Sequence, residues 1–278
     1  MFEETDEVPS RGPKHLPTAS LAPASWWRSA AFGACVCLLI AASPAVAVRP
    51  FVTDDARVVG GRQAQLETWM RGDRSAFQHW ALASYGPIEP LELTIGTVHG
   101  ANYDHRRQYS IAGPLLQAKY LFRKPTTGSW PGVAISGGAF APVGNGAFRP
   151  HGWDSFLYLA VTESLMEGDR ILLHGNFGFV NASASGKKAT WGTGSQVRLR
   201  GGFHVVSEVF SGDPYAESSG MALQAGFRHF VSQYIQIDAT VGSGISGQPR
   251  LPVWATVGLR LATPPLGRKV LEKFKWWR

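Results

Sequence analysis

Thiols are almost missing from this 278-residue sequence, in which Cys35 and Cys37 are the only cysteines. Both fall in an N-terminal stretch that reads as removable. The rest of the chain therefore has no disulfide framework, no thiolate zinc site and no cysteine nucleophile. Full charges are also scarce, at 17% of residues, fewer than a soluble domain of this size usually carries. No apolar run reaches the roughly 20 residues of a helical span. The sequence contains no GxSxG elbow, no HExxH pair and no phosphate loop. His204, Ser207 and Glu208 lie close together, but Ser207 has the opposite strand parity to His204, so no catalytic triad is expected from them and no metal or cofactor site is assigned.

What is abundant is glycine, with 32 residues, and tryptophan, with 10. Arg28 precedes AAFGACVCLLIAA and then Ala45-Val46-Ala47. A basic flank, a short apolar core and a small-residue cleavage site describe a secretory signal cut after Ala47. Residues 1–47 are thus expected to be leader. The net charge is +7, and loss of the leader, with Arg11, Lys14 and Arg28 against Glu3, Glu4, Asp6 and Glu7, makes the remainder slightly more basic. In an exported chain such a balance suits an anionic membrane surface better than nucleic acid.

From residue 62 to 263 the chain divides into about twelve segments of roughly ten residues separated by turn chemistry, the pattern expected of outer-membrane strands. GPIEP, MEGD, Arg200-Gly201 and Ser232-Gln233 are tight. The alternate connections ANYDHRRQYS, PVGNGAFRPHG, SASGKKATW, SGDPYAESSG and SGISGQPR are longer and more polar. GDRS and KPTTGSWPG depart from the rule. Within strands the period is two: Leu223, Ala225, Phe227 and Val231 oppose Gln224, Gly226 and Arg228, and Ile235, Ile237 and Val241 oppose Gln236, Asp238 and Thr240. A soluble sandwich would bury the apolar face, whereas a transmembrane barrel turns it to lipid. The expected fold is all-β, a single antiparallel up-and-down barrel in the outer membrane.

On that reading Arg228 and Asp238 are lumen residues placed to pair across adjacent strands. Arg260, His204, Glu208, Glu67, Glu92 and Lys119 have the same inward parity. Facing lipid at mid-membrane, an Arg or Lys would cost about 2–4 kcal/mol. These residues either cross-link the wall or form a charged constriction that selects solutes. Residues 48–61, with Asp54 and Asp55, either fold into the bore as a plug or hang as a periplasmic tail. Residues 264–278 end in RKVLEKFKWWR, which fits a basic amphipathic helix.

The phrases RPFVTDDARVVGGRQAQLETW, GPLLQAKYLFR, FHVVSEVFSGDPY, GFRHFVSQYIQIDATVGSG and WATVGLRL, in that order, resemble a transporter-like family of outer-membrane barrels named for the meta-pathway of phenol degradation. The resemblance implies a passive conduit for aromatic or other hydrophobic solutes, with outer-membrane lipids and the barrel-assembly machinery as partners. It gives Asp54, Asp55, Lys119, Glu208, Arg228 and Asp238 no established catalytic role. A lipid-modifying barrel enzyme and a plugged structural barrel are the alternatives. One departure is Thr263, which stands where such barrels close on an aromatic residue.

Overall fold

A computed structural model describes residues 51–103, 108–213, 220–247 and 250–267. The expected leader and most of the basic tail lie outside the described residues. The elements are β1 (Ala64–Asp73), β2 (Ala76–Ile88), β3 (Leu91–Asn102), β4 (Gln108–Arg123), β5 (Gly132–Phe140), the two-residue β6 (Gly144–Asn145) and β7 (Asp154–Ser164). After a 3-10 turn at Glu167–Asp169 come β8 (Ile171–Ala182), β9 (Gly186–Arg200), β10 (Phe203–Ser211), β11 (Met221–Ser232), β12 (Ile235–Gly244) and β13 (Trp254–Ala262). Every long strand pairs antiparallel with its sequence neighbour, β1 pairs with β13, and β3 with β4, so the sheet closes on itself. With β6 set aside as a short addition to β4, this is a twelve-stranded barrel.

Closure leaves no free edge, which satisfies every strand backbone without water. The period-two pattern then sorts side chains by face. Phe227, Val257 and Phe177 on the outer wall are about 60% exposed, while Arg228 and Asp238 within the bore are at 2% and 0%. This polarity is that of a membrane barrel: greasy side chains meet lipid and polar ones meet each other inside.

The bore has two halves. Toward the end that carries the long connections it is rich in aromatic rings, with Trp69 stacked on Trp80 at 5.6 Å and Phe156 on Tyr158 at 5.8 Å, beside an Arg71–Asp213 pair at 3.9 Å. Toward the opposite end charged and polar residues predominate. One expected long connection is corrected: SASGKKATW is a hairpin whose loop is only Ser183–Ser185, because β9 already begins at Gly186. Lys187 and Lys188 therefore belong to a paired strand rather than to a loop. At the seam, Thr263 bonds Ala64 in both directions, N–H to O at 2.9 Å and Oγ1 from N–H at 3.0 Å. The rung an aromatic residue would close is thus made by a threonine.

Candidate functional site

All eight inward-parity residues are buried in the bore: Glu67, Glu92, Lys119, His204, Glu208, Arg228, Asp238 and Arg260. Arg228 and Asp238 face each other in register on β11 and β12, joined Nε to Oδ1 at 2.6 Å. The guanidinium also donates to Gln196 Oε1 at 2.7 Å, and Asp238 accepts from Gln236 Nε2 at 2.7 Å. Arg260, opposite Glu67 in the β1–β13 ladder, reaches it through Gln65, which accepts from Arg260 Nε and donates to Glu67 Oε1. His204 stands apart from Glu208 despite sharing its face. Its Nδ1 contacts the Gly202 carbonyl at 3.0 Å, and its ring meets Phe230 edge-on.

The remaining charges hold the segment before β1. Residues 52–59 run inside the wall, and side chains from five strands fix their path. Glu208 of β10 accepts from the N–H groups of Val52 (2.9 Å) and Thr53 (2.7 Å). Asp54 takes Lys119 Nζ of β4 at 3.0 Å and Tyr158 Oη of β7 at 2.9 Å. The Asn176 amide of β8 bridges the Asp54 backbone, accepting from its N–H at 2.7 Å and donating to its carbonyl at 3.0 Å. Asp55 accepts from Arg57 and from Thr162 Oγ1, each at 3.0 Å, and Lys119 donates to its carbonyl. Ala56 N–H donates to Thr162, and Val59 N–H to Glu92 Oε2 at 2.8 Å. Burial of so many backbone donors is tolerable because the N–H groups of Val52, Thr53, Asp54, Ala56, Arg57 and Val59 each find an acceptor, four of them a carboxyl oxygen.

Space for the segment comes from glycine. On the inner face of β9, a Cβ at Gly192 would lie 2.3 Å from Thr53 Oγ1. At the exit, Gly61 N–H donates to Glu89 Oε2 at 3.1 Å, and Glu89 Oε1 accepts from Lys124 Nζ at 2.6 Å. The bonds to Lys124 and to Gly61 hold the exposed Glu89 carboxyl below its ordinary value of 4.5.

Three cavities follow one another down the bore. The first, about 240 Å³, lies toward the long connections between Trp80, Phe140, Phe148, Arg149 and His151. The last, about 470 Å³, opens at the other end among Val59, Lys124, Tyr234 and Arg260. Between them, at Asp54, Glu67, Glu92 and Lys119, about 20 Å³ remains, room for roughly one water.

Sequence reasoning missed Arg57, which bridges Asp55 to Asp169 at 2.9 Å in the 3-10 turn, and the neutral partners Tyr158 and Thr162. Strand parity marks the last two as inward, but nothing distinguishes them from ordinary lining. Ser207 lies on the outer wall against Ser195, 2.9 Å away, and does not meet His204.

Residues 35–263 match the family described as Uncharacterised conserved protein UCP029691, and the chain belongs to that family. No curated protein matches it. Among solved structures it is similar to the COG4313 outer membrane channel from Pseudomonas putida F1, at TM-score 0.55 and 11% identity over 75% of this chain and 98% of that one. It is also similar to the KdgM porin in complex with disordered oligogalacturonate, at TM-score 0.53 and 9% identity over 72% and 99%. These likenesses establish a shared outer-membrane barrel fold.

Proposed function

We propose that this member of the UCP029691 family is a passive outer-membrane channel for small solutes, closed at rest by its own residues 52–59. One observation carries the reading: the segment is bonded to wall residues of β3, β4, β7, β8 and β10, and the cavity between it and the β1–β4 wall is only about 20 Å³. A twelve-stranded barrel is intermediate between eight strands, filled by side chains, and sixteen, which leave an aqueous channel. A single extra segment is therefore enough to shut it. Opening requires that Glu208, Asp54 and Asp55 exchange protein donors for water, and the remaining charges then line the path.

The solute class favoured is aromatic or otherwise hydrophobic. The resemblance to the phenol meta-pathway barrels supports it, as do the Trp80, Phe140 and Phe148 rings of the first cavity, which stand beside Arg149, His151, Asp154 and Asp213. The partners on this reading are the surrounding lipids, the machinery that inserts barrels, and the solute. Single-channel recording in planar bilayers tests it, with Glu208→Gln and Arg228→Gln beside the wild type. Rare, brief openings in the wild type and frequent ones in Glu208→Gln are expected. Silence from all three proteins, together with fatty acid released from lipid, would replace the channel with the enzyme.

A further inference from the structure

The outer wall over β1 to β4 departs from the smooth apolar band of a membrane barrel. The β3–β4 ladder jumps from Gly96–Leu115 to Val98–Ala112, so Thr97 alone faces Gly113 and Pro114. This is a bulge, and Pro114 has no N–H to give to the ladder. The backbone is nevertheless sealed: Thr97 Oγ1 donates to the Ala112 carbonyl at 2.8 Å, Gly113 N–H to Val143, and Ala141 N–H to Pro114. The result is a notch of about 420 Å³, lined by Leu66, Ala81, Ala83, Ile95, Ile111 and Val143 and floored by Leu82 and Ala112. Its lining is almost wholly apolar, and it opens on the side that faces lipid.

Beside the notch, one pleat nearer the long connections, lies a polar row on the same outer face. Thr68 Oγ1 donates to the Trp80 carbonyl at 2.9 Å and meets His79 Nε2 at 2.6 Å, while His79 Nδ1 meets His99 Nε2 at 2.8 Å. With both rings neutral and the threonine's one hydrogen on the Trp80 carbonyl, His79 donates from Nε2 and accepts at Nδ1, and His99 donates from Nε2. His99 Nδ1 then remains a bare acceptor with no partner among the described residues. His99 is paired with His79, and Ala81 with Thr97, in one register. The acceptor therefore lies two residues, about 7 Å, along the strand from the notch. It is also three residues short of the end of β3 that carries the long connections.

We propose that this surface is a binding site for a lipid of the outer leaflet that carries a hydroxyl on its acyl chain close to the head group. The chain fills the notch and the hydroxyl donates to His99 Nδ1. A neutral donor suits the depth, because a full charge within the apolar band is costly. A plain acyl chain fills the same notch but leaves the acceptor unmet, so the hydroxyl gives selectivity rather than bulk affinity.

Native mass spectrometry of the detergent-purified full chain tests the site, with β-hydroxymyristoyl monoglyceride against myristoyl monoglyceride as probes. Both carry glycerol hydroxyls, so the pair isolates the hydroxyl on the chain. The hydroxylated probe should bind about fivefold more tightly, the effect of one neutral hydrogen bond. That preference should vanish in His99→Leu and return in part in His99→Gln, whose amide oxygen accepts. Ala83→Trp, which fills the notch from a lipid-facing position, should weaken both probes, while Phe227→Trp on the far wall changes neither. Equal binding of the two probes, a preference that survives His99→Leu, or a wild-type dimer that Ala83→Trp separates would each overturn the proposal.

Discussion

Thr53 and Glu208, 155 positions apart in the chain, are joined by a backbone N–H to carboxylate bond of 2.7 Å inside the barrel. The same carboxylate takes Val52, so one side chain of β10 holds two successive amides of the segment. Each such hydrogen bond contributes about 0.5–3 kcal/mol, and a glutamine keeps only one of the two accepting oxygens. Glu208→Gln should leave the wall intact and loosen the segment. Amide exchange at Val52 and Thr53 should accelerate at least tenfold while that of β11 stays unchanged.

Gly192→Val tests the same segment by volume rather than charge. A Cβ placed 2.3 Å from Thr53 Oγ1 cannot coexist with the observed path. Conductance should rise several-fold over the wild type, whereas Thr193→Val, on the outer face, should leave it unchanged.

Arg228 and Asp238 form a fully buried pair, and removing one partner strands the other charge. Arg228→Met should destabilise the folded barrel by about 3–5 kcal/mol, as should Asp238→Leu. The double variant should recover most of that loss. Urea unfolding in detergent, followed by tryptophan fluorescence, reads all three.

Val257 faces outward at the middle of β13 and is 58% exposed to lipid. Val257→Arg should cost about 2–4 kcal/mol, whereas Thr256→Ser, facing the bore one residue away, should cost well under half of that. Equal costs at the two positions would contradict the inside-out arrangement.

Glu89 gives the exit of the segment a mild acid sensitivity. Its folded carboxyl ionises below 4.5 because Lys124 and Gly61 N–H favour the charged form. Its contribution is therefore complete above about pH 4.5 and fades as the pH falls through the lowered folded value. The group is largely exposed, so the effect is well under about 1 kcal/mol. The protection factor at Gly61, with the intrinsic pH dependence of exchange divided out, should fall on acidification, and Lys124→Met should move that fall to higher pH.

The wall was legible in the sequence because a period of two is unambiguous once one face is apolar. Phe227 and Ile237 against Arg228 and Asp238 already give the register and the facing. The path of residues 52–59 was not legible, since an irregular segment has no period. Its glycine berth at Gly192 and Gly194 reads as ordinary strand glycine until Thr53 is seen beside it. Asp169 lies in a tight turn, where an acidic residue is commonplace, and its bond to Arg57 is purely tertiary. Pro114, by contrast, is a visible signal: a proline within a strand marks a bulge, and the notch lies where it falls.

The seam between Ala64 and Thr263 joins residues 199 positions apart. Hairpins between neighbouring strands are cheap to close, but that last rung must wait for almost the whole polypeptide. A chain stopped before β13 would not be a narrower ring. It would be a curled ribbon with two raw margins, each ready to zip onto another copy.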